Sequence, residues 1–91
     1  MIESASRPRL ASKARLRYDR QNDRYLLLYP ERGLALNGTA VDVVRLCTGE
    51  HTVTGIVEQL AAKYTNQPRE VVAREVLSFL ATLADRGLVQ A

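Results

Sequence analysis

Ninety-one residues of ordinary apolar content (46 %) suit one small domain with one modest core, leaving few apolar side chains for a deep, water-excluding active site. The net charge of +3 is uneven: residues 1–24 carry seven basic and three acidic side chains, residues 25–91 carry six and seven. The basic end suits nucleic acid, an acidic protein or an acidic peptide, with a plain solvated strand face as the alternative.

The lone Cys47 forbids an internal disulfide and fits a reducing compartment. The amino terminus lacks the apolar run of a secretion signal, and no apolar run is long enough to span a bilayer. The expected location is the cytoplasm, with no membrane partner.

Residues 1–12 are small, polar and broken by Pro8, and read as a flexible arm ahead of a single domain at 13–91. From Lys13, Ala14, Leu16 and Tyr18 alternate with Lys13, Arg15 and Arg17, the period of a half-buried strand. Asp19–Asp23 is a polar turn. Arg24–Tyr29 is a second strand, apolar on both faces as the best covered strand should be. Pro30 ends it, residues 31–33 turn the chain, and Leu34–Leu36 forms a third strand. Short connections predict a meander with the second strand in the middle.

The two outer strands differ. The first carries Lys and Arg at alternate positions, a usual defence against unwanted pairing. The third carries neither charge nor proline and runs straight into a helix cap. A bare edge beside a groove can hold an extended peptide as an added strand.

Three helices follow. Asn37 or Thr39 caps the first, whose apolar face is Ala40, Val43, Val44 and Cys47, and Gly49 stops it. Thr52 caps the second, with Val53, Ile56, Val57, Leu60, Ala61 and Tyr64 on one face. Pro68 opens the third at its first helical position, and Gly87 ends it. The third helix has two apolar stripes: Val72, Val76, Phe79 and Leu83, and, turned by about 100°, Ala73, Leu77, Leu80 and Ala84. Either the helix is central and buried all round, or the second stripe floors a groove beside the third strand.

No catalytic constellation appears. Cys47 and His51 are the only residues of their kinds, lack an orienting third group and read as a core residue and a loop residue. Glu70, Glu75 and Asp85 do not converge as metal ligands, and no glycine-rich phosphate loop is present. The chain is expected not to be an enzyme and to need no metal or cofactor.

The joint Tyr29-Pro30-Glu31-Arg32-Gly33-Leu34-Ala35-Leu36-Asn37-Gly38-Thr39-Ala40, the Thr48-Gly49 stop before Thr52-Val53, and the closing Phe79-Leu80 and Arg86-Gly87-Leu88-Val89 together resemble the protein D family of pyrroloquinoline quinone (PQQ) biosynthesis. That family is similar to the recognition domains of ribosomally made, modified peptides. The resemblance covers roughly Lys13 to Val89.

The resemblance implies an α+β, winged-helix-like fold, a three-stranded antiparallel sheet followed by a three-helix bundle. It implies a chaperone that binds the precursor peptide of the pathway. It also implies presentation of that peptide to a radical S-adenosylmethionine (SAM) enzyme that joins a Glu and a Tyr of the peptide. Carried onto this sequence, the peptide lies beside Arg32, Gly33, Leu34, Ala35, Leu36 and Asn37. On the third helix the stripe Ala73, Leu77, Leu80 and Ala84 is assigned to it. Arg32, Arg74 and Arg86 are candidate partners for acidic peptide residues. The rival readings are a winged-helix nucleic-acid binder and an oligomer-forming adaptor, including a homodimer that exchanges its N-terminal strand.

Overall fold

The computed structural model describes residues 2–30 and 32–91. The elements run β1 (Arg9–Leu10), β2 (Arg15–Asp19), β3 (Arg24–Tyr29), β4 (Arg32–Leu36), α1 (Gly38–Leu46), α2 (Val53–Lys63), α3 (Arg69–Asp85) and β5 (Val89–Gln90). Strands β2, β3 and β4 form the expected antiparallel meander with β3 in the middle, and three helices follow. The third strand is longer than its apolar core suggested, because Arg32 and Gly33 pair with Tyr29 and Leu28. Gly33 is therefore strand rather than turn, while Glu31 lies outside the described residues.

Alternation along the sheet puts Leu16, Tyr25, Leu27, Tyr29, Leu34 and Leu36 on the face that packs against the helices. The helices supply the opposite wall. Val43, Ile56, Val76, Leu80, Leu83 and Leu88 have no exposed surface. Side-chain chemistry sets the helix starts. Asn37 caps α1 by accepting from the Ala40 amide at 2.8 Å, and Thr52 caps α2 by accepting from the Gly55 amide at 3.0 Å. Pro68 sits at the N-cap of α3, one residue before its expected place. Gly49 and Gly87 take the left-handed conformation, φ 86° and 70°, that lets the chain reverse after α1 and α3.

Asp42 ties α1 to α2, accepting from Lys63 Nζ at 2.9 Å and from the Tyr64 hydroxyl at 2.6 Å. Burial opposes its charge, but the hydrogen bonds from Lys63 and Tyr64 outweigh that and hold its carboxyl below the usual range.

Residues 4–12 are not a loose arm. The Ser6 and Ser4 carbonyls accept from the amides of Val53 and Thr54 at 2.9 and 3.1 Å. These are the first amides of α2, which have no partner inside the helix. Pro8 is buried, the Leu10 amide donates to Cys47 at 2.9 Å, and β1 pairs with β5. The arm closes two loose ends at once, the start of α2 and the tail after α3.

Candidate functional site

Strand β4 pairs with β3 alone among the described residues, so its second edge is free. The register fixes which groups point there. Only two residues separate Tyr29 from Arg32, so this pair must exchange both main-chain bonds. Alternation then directs the main chain of Leu34 and Leu36 to β3. The N–H and C=O of Gly33 and Ala35 face outward.

The side chains divide the same way. Leu36 is buried and Leu34 half-buried against the core, whereas Gly33 and Ala35 are exposed. Leu34 and Leu36 thus anchor the strand, and Gly33 and Ala35 present its backbone. Arg32 is exposed at the start of the strand, and Asn37 is occupied in capping α1.

A groove of about 540 Å³ opens where β4 runs into α1. Asn37, Thr39, Ala40 and Val43 form one wall; α3 supplies the other through Arg74, Glu75, Ser78, Phe79 and Thr82. Near its other end α3 reaches the β3–β4 hairpin, where Arg86 donates to the Tyr29 hydroxyl at 3.1 Å. So α3 runs antiparallel to β4, with its middle turns across from Asn37. The groove combines an aromatic ring with three hydroxyl side chains and two opposite charges. Among the described residues neither Arg74 nor Glu75 is in an ion pair.

The stripe assigned to this groove from periodicity lies elsewhere. Leu80 is fully buried in the core, Ala73 and Ala84 are half-buried, and Leu77 is 43 % exposed. At 100° per residue this stripe centres roughly 150° around the helix from the groove residues. The buried seam is Val72, Val76, Leu80 and Leu83, so Leu80 takes the core place expected for Phe79, and Phe79 turns to the groove. The available signal was Ser78 and Thr82, small hydroxyl residues one turn apart that flank Phe79 on a face neither oily nor highly charged. Of the three candidate arginines, only Arg74 lines the groove.

Cys47 is 4 % exposed, and burial pushes its thiol up to about 12, the state of a packed core side chain rather than a nucleophile. Among the described residues no cluster of His, Cys, Asp and Glu could hold a metal ion, and no helix is long and apolar enough to cross a membrane.

The family model described as coenzyme PQQ synthesis protein D matches residues 24–89, which span β3 through β5. The chain belongs to the PqqD family. A PqqA binding protein of Bradyrhizobium diazoefficiens is 43 % identical over 88 residues, 97 % of this chain and 84 % of that protein. The bifunctional coenzyme PQQ synthesis protein C/D of Methylorubrum extorquens is 35 % identical over 91 % of this chain, which covers 22 % of that longer protein. The solution structure of the PqqD truncation of Methylobacterium extorquens PqqCD, described as a stand-alone recognition element for ribosomally synthesized and modified peptides, superposes with a TM-score of 0.82 at 31 % identity. That match covers 100 % of this chain and 96 % of that one. The crystal structure of PqqD from Xanthomonas campestris superposes at 0.61 with 28 % identity, covering both chains fully. The α+β fold with sheet before helices is thus that of PqqD.

Proposed function

We propose that this chain is a peptide chaperone of PQQ biosynthesis, not an enzyme, and that it holds the precursor peptide as a fourth strand on β4. The observation that carries this reading is the free, outward-facing main chain of Gly33 and Ala35 on an edge that leads into the groove between α1 and α3. Backbone pairing supplies sequence-blind attraction. Side chains dipping towards Phe79, Ser78 and Arg74 supply selectivity.

Membership in the family and relatives named for binding PqqA support the choice of peptide. The held peptide is presented to a radical SAM enzyme that joins its Glu and Tyr; raising the local concentration of the reactive segment needs no reactive group on the chaperone. Exchange of the N-terminal strand β2 between two copies would make a homodimer, which light scattering detects.

Calorimetric titration with the precursor peptide tests the reading. Saturable binding with a negative heat-capacity change is expected, because ordering the peptide buries apolar surface. NMR shifts should gather at residues 32–37. Binding with shifts confined to β2 or to the outer flank of α3 around Leu77 would contradict it.

A further inference from the structure

The meander uses only one of its faces for the core. The opposite face carries Arg15, Arg17 and Asp19 from β2, Arg24, Leu26 and Leu28 from β3, and Gly33 and Ala35 from β4. Arg17 stands directly across from Leu26, and Arg15 across from Leu28. Leu26 and Leu28 are half-buried, yet neither belongs to the core nor packs against it. Arg15 and Arg17 themselves are exposed, and long arginine stems opposite an apolar side chain can cover it while the charged heads stay in water.

Asp19 pairs with Arg24 at 3.8 Å. Among the described residues Arg15 and Arg17 have no ion pair. Two leucines framed by two uncommitted guanidinium groups have the composition of a protein interface centre, where arginine is enriched. Nucleic acid is less well served, because Tyr18, Tyr25 and Tyr29 all lie on the other face and no aromatic platform remains for bases.

We propose that this outer sheet face docks a protein partner bearing carboxylates around an apolar patch, and that the bound peptide completes the docking surface. The second half rests on the strand-addition reading above. A strand added to β4 continues the pleat, so its alternate side chains emerge on the outer face beside Gly33 and Ala35. Those two residues carry almost no side chain and are exposed. One row of peptide side chains enters the groove and is read by the chaperone. The other row stands next to Leu26 and Leu28 and is read by the partner.

The probe is the radical SAM enzyme proposed to receive the peptide. Its affinity is measured for the wild-type chain and for R15E/R17E, each with and without peptide, alongside direct titration of the peptide. R15Q/R17Q serves as a milder second variant, and thermal melts check folding. The double reversal should leave peptide affinity within about twofold and weaken the enzyme's affinity by about tenfold or more. Added salt should weaken the wild-type complex. Peptide should tighten wild-type binding. Equal enzyme affinity for wild type and R15E/R17E would overturn the docking face, as would no binding of the enzyme at all. Short duplex DNA binding through these arginines, with the enzyme unaffected by their reversal, would replace a protein partner by nucleic acid. Tightening by peptide that is absent while peptide itself binds overturns the composite surface alone. Failure of the peptide to bind overturns strand addition, and the enzyme's affinity for the peptide-free variants still decides the face.

Discussion

Strands β2 and β4 flank the same central strand, and among the described residues each presents one free edge. By alternation from the shared register, β2 offers the main chain of Leu16 and Tyr18, and β4 offers that of Gly33 and Ala35. Topology therefore does not distinguish them. What differs is the surroundings. The edge of β2 is flanked by Arg15 and Arg17, and no β2 residue lines the groove between α1 and α3. The edge of β4 is uncharged from Gly33 to Leu36 and leads into a groove walled by α3. An edge becomes a binding site when its neighbours stop defending it and a second wall stands within reach.

The sharpest way to break this comparison is Ala35→Pro. It deletes an outward N–H and leaves the bonds to β3 in place. Peptide affinity should fall by about tenfold or more, read by calorimetry, with the circular dichroism spectrum near that of the wild type. Ser78→Trp attacks the second wall. Ser78 is exposed, so the indole should fill the groove without entering the core, weakening peptide binding by roughly fivefold while the melting temperature stays put.

Asp42→Asn separates stability from binding, since Asp42 joins α1 to α2 away from both edges. The carboxyl is held below its ordinary range, so its stabilisation is complete above the ordinary aspartate pKa and disappears as the pH falls through the depressed value. The variant should melt lower at neutral pH, converge with the wild type in strong acid, and bind peptide normally. Tyr18→Pro is the mirror of the first variant on the defended edge, and should change peptide affinity by less than about twofold. Leu77→Ser should do least. Its side chain is exposed on the flank of α3 away from the groove, so affinity should hold and stability should move by no more than about 0.5 kcal/mol.

Local chemistry made much of this legible in the sequence. The period-2 run around Leu16 marked β2, Asn37 or Thr39 and then Thr52 announced the first two helices as caps, with the structure choosing Asn37, and the lack of charge from Leu34 to Leu36 singled out the open edge. Two things were not legible. The flank of α3 that faces the groove was not legible because the two apolar stripes of the helix lie only about 100° apart, and both contain leucine. Packing against α1 and α2 decides between them, and that is a tertiary fact. The arm was misread because it is held by backbone groups, whose identity no side chain reveals. The Ser4 and Ser6 carbonyls reach Thr54 and Val53 far along the chain, where a helix start lacked acceptors.

Residue-resolved amide hydrogen exchange with and without the precursor peptide tests the central claim most directly. Added peptide should slow exchange at Gly33 and Ala35, with little change at Leu34 and Leu36, whose amides already face β3, and none at Leu16 and Tyr18. Peptide bound at saturation with Gly33 and Ala35 still exchanging as in the free chain would contradict the account.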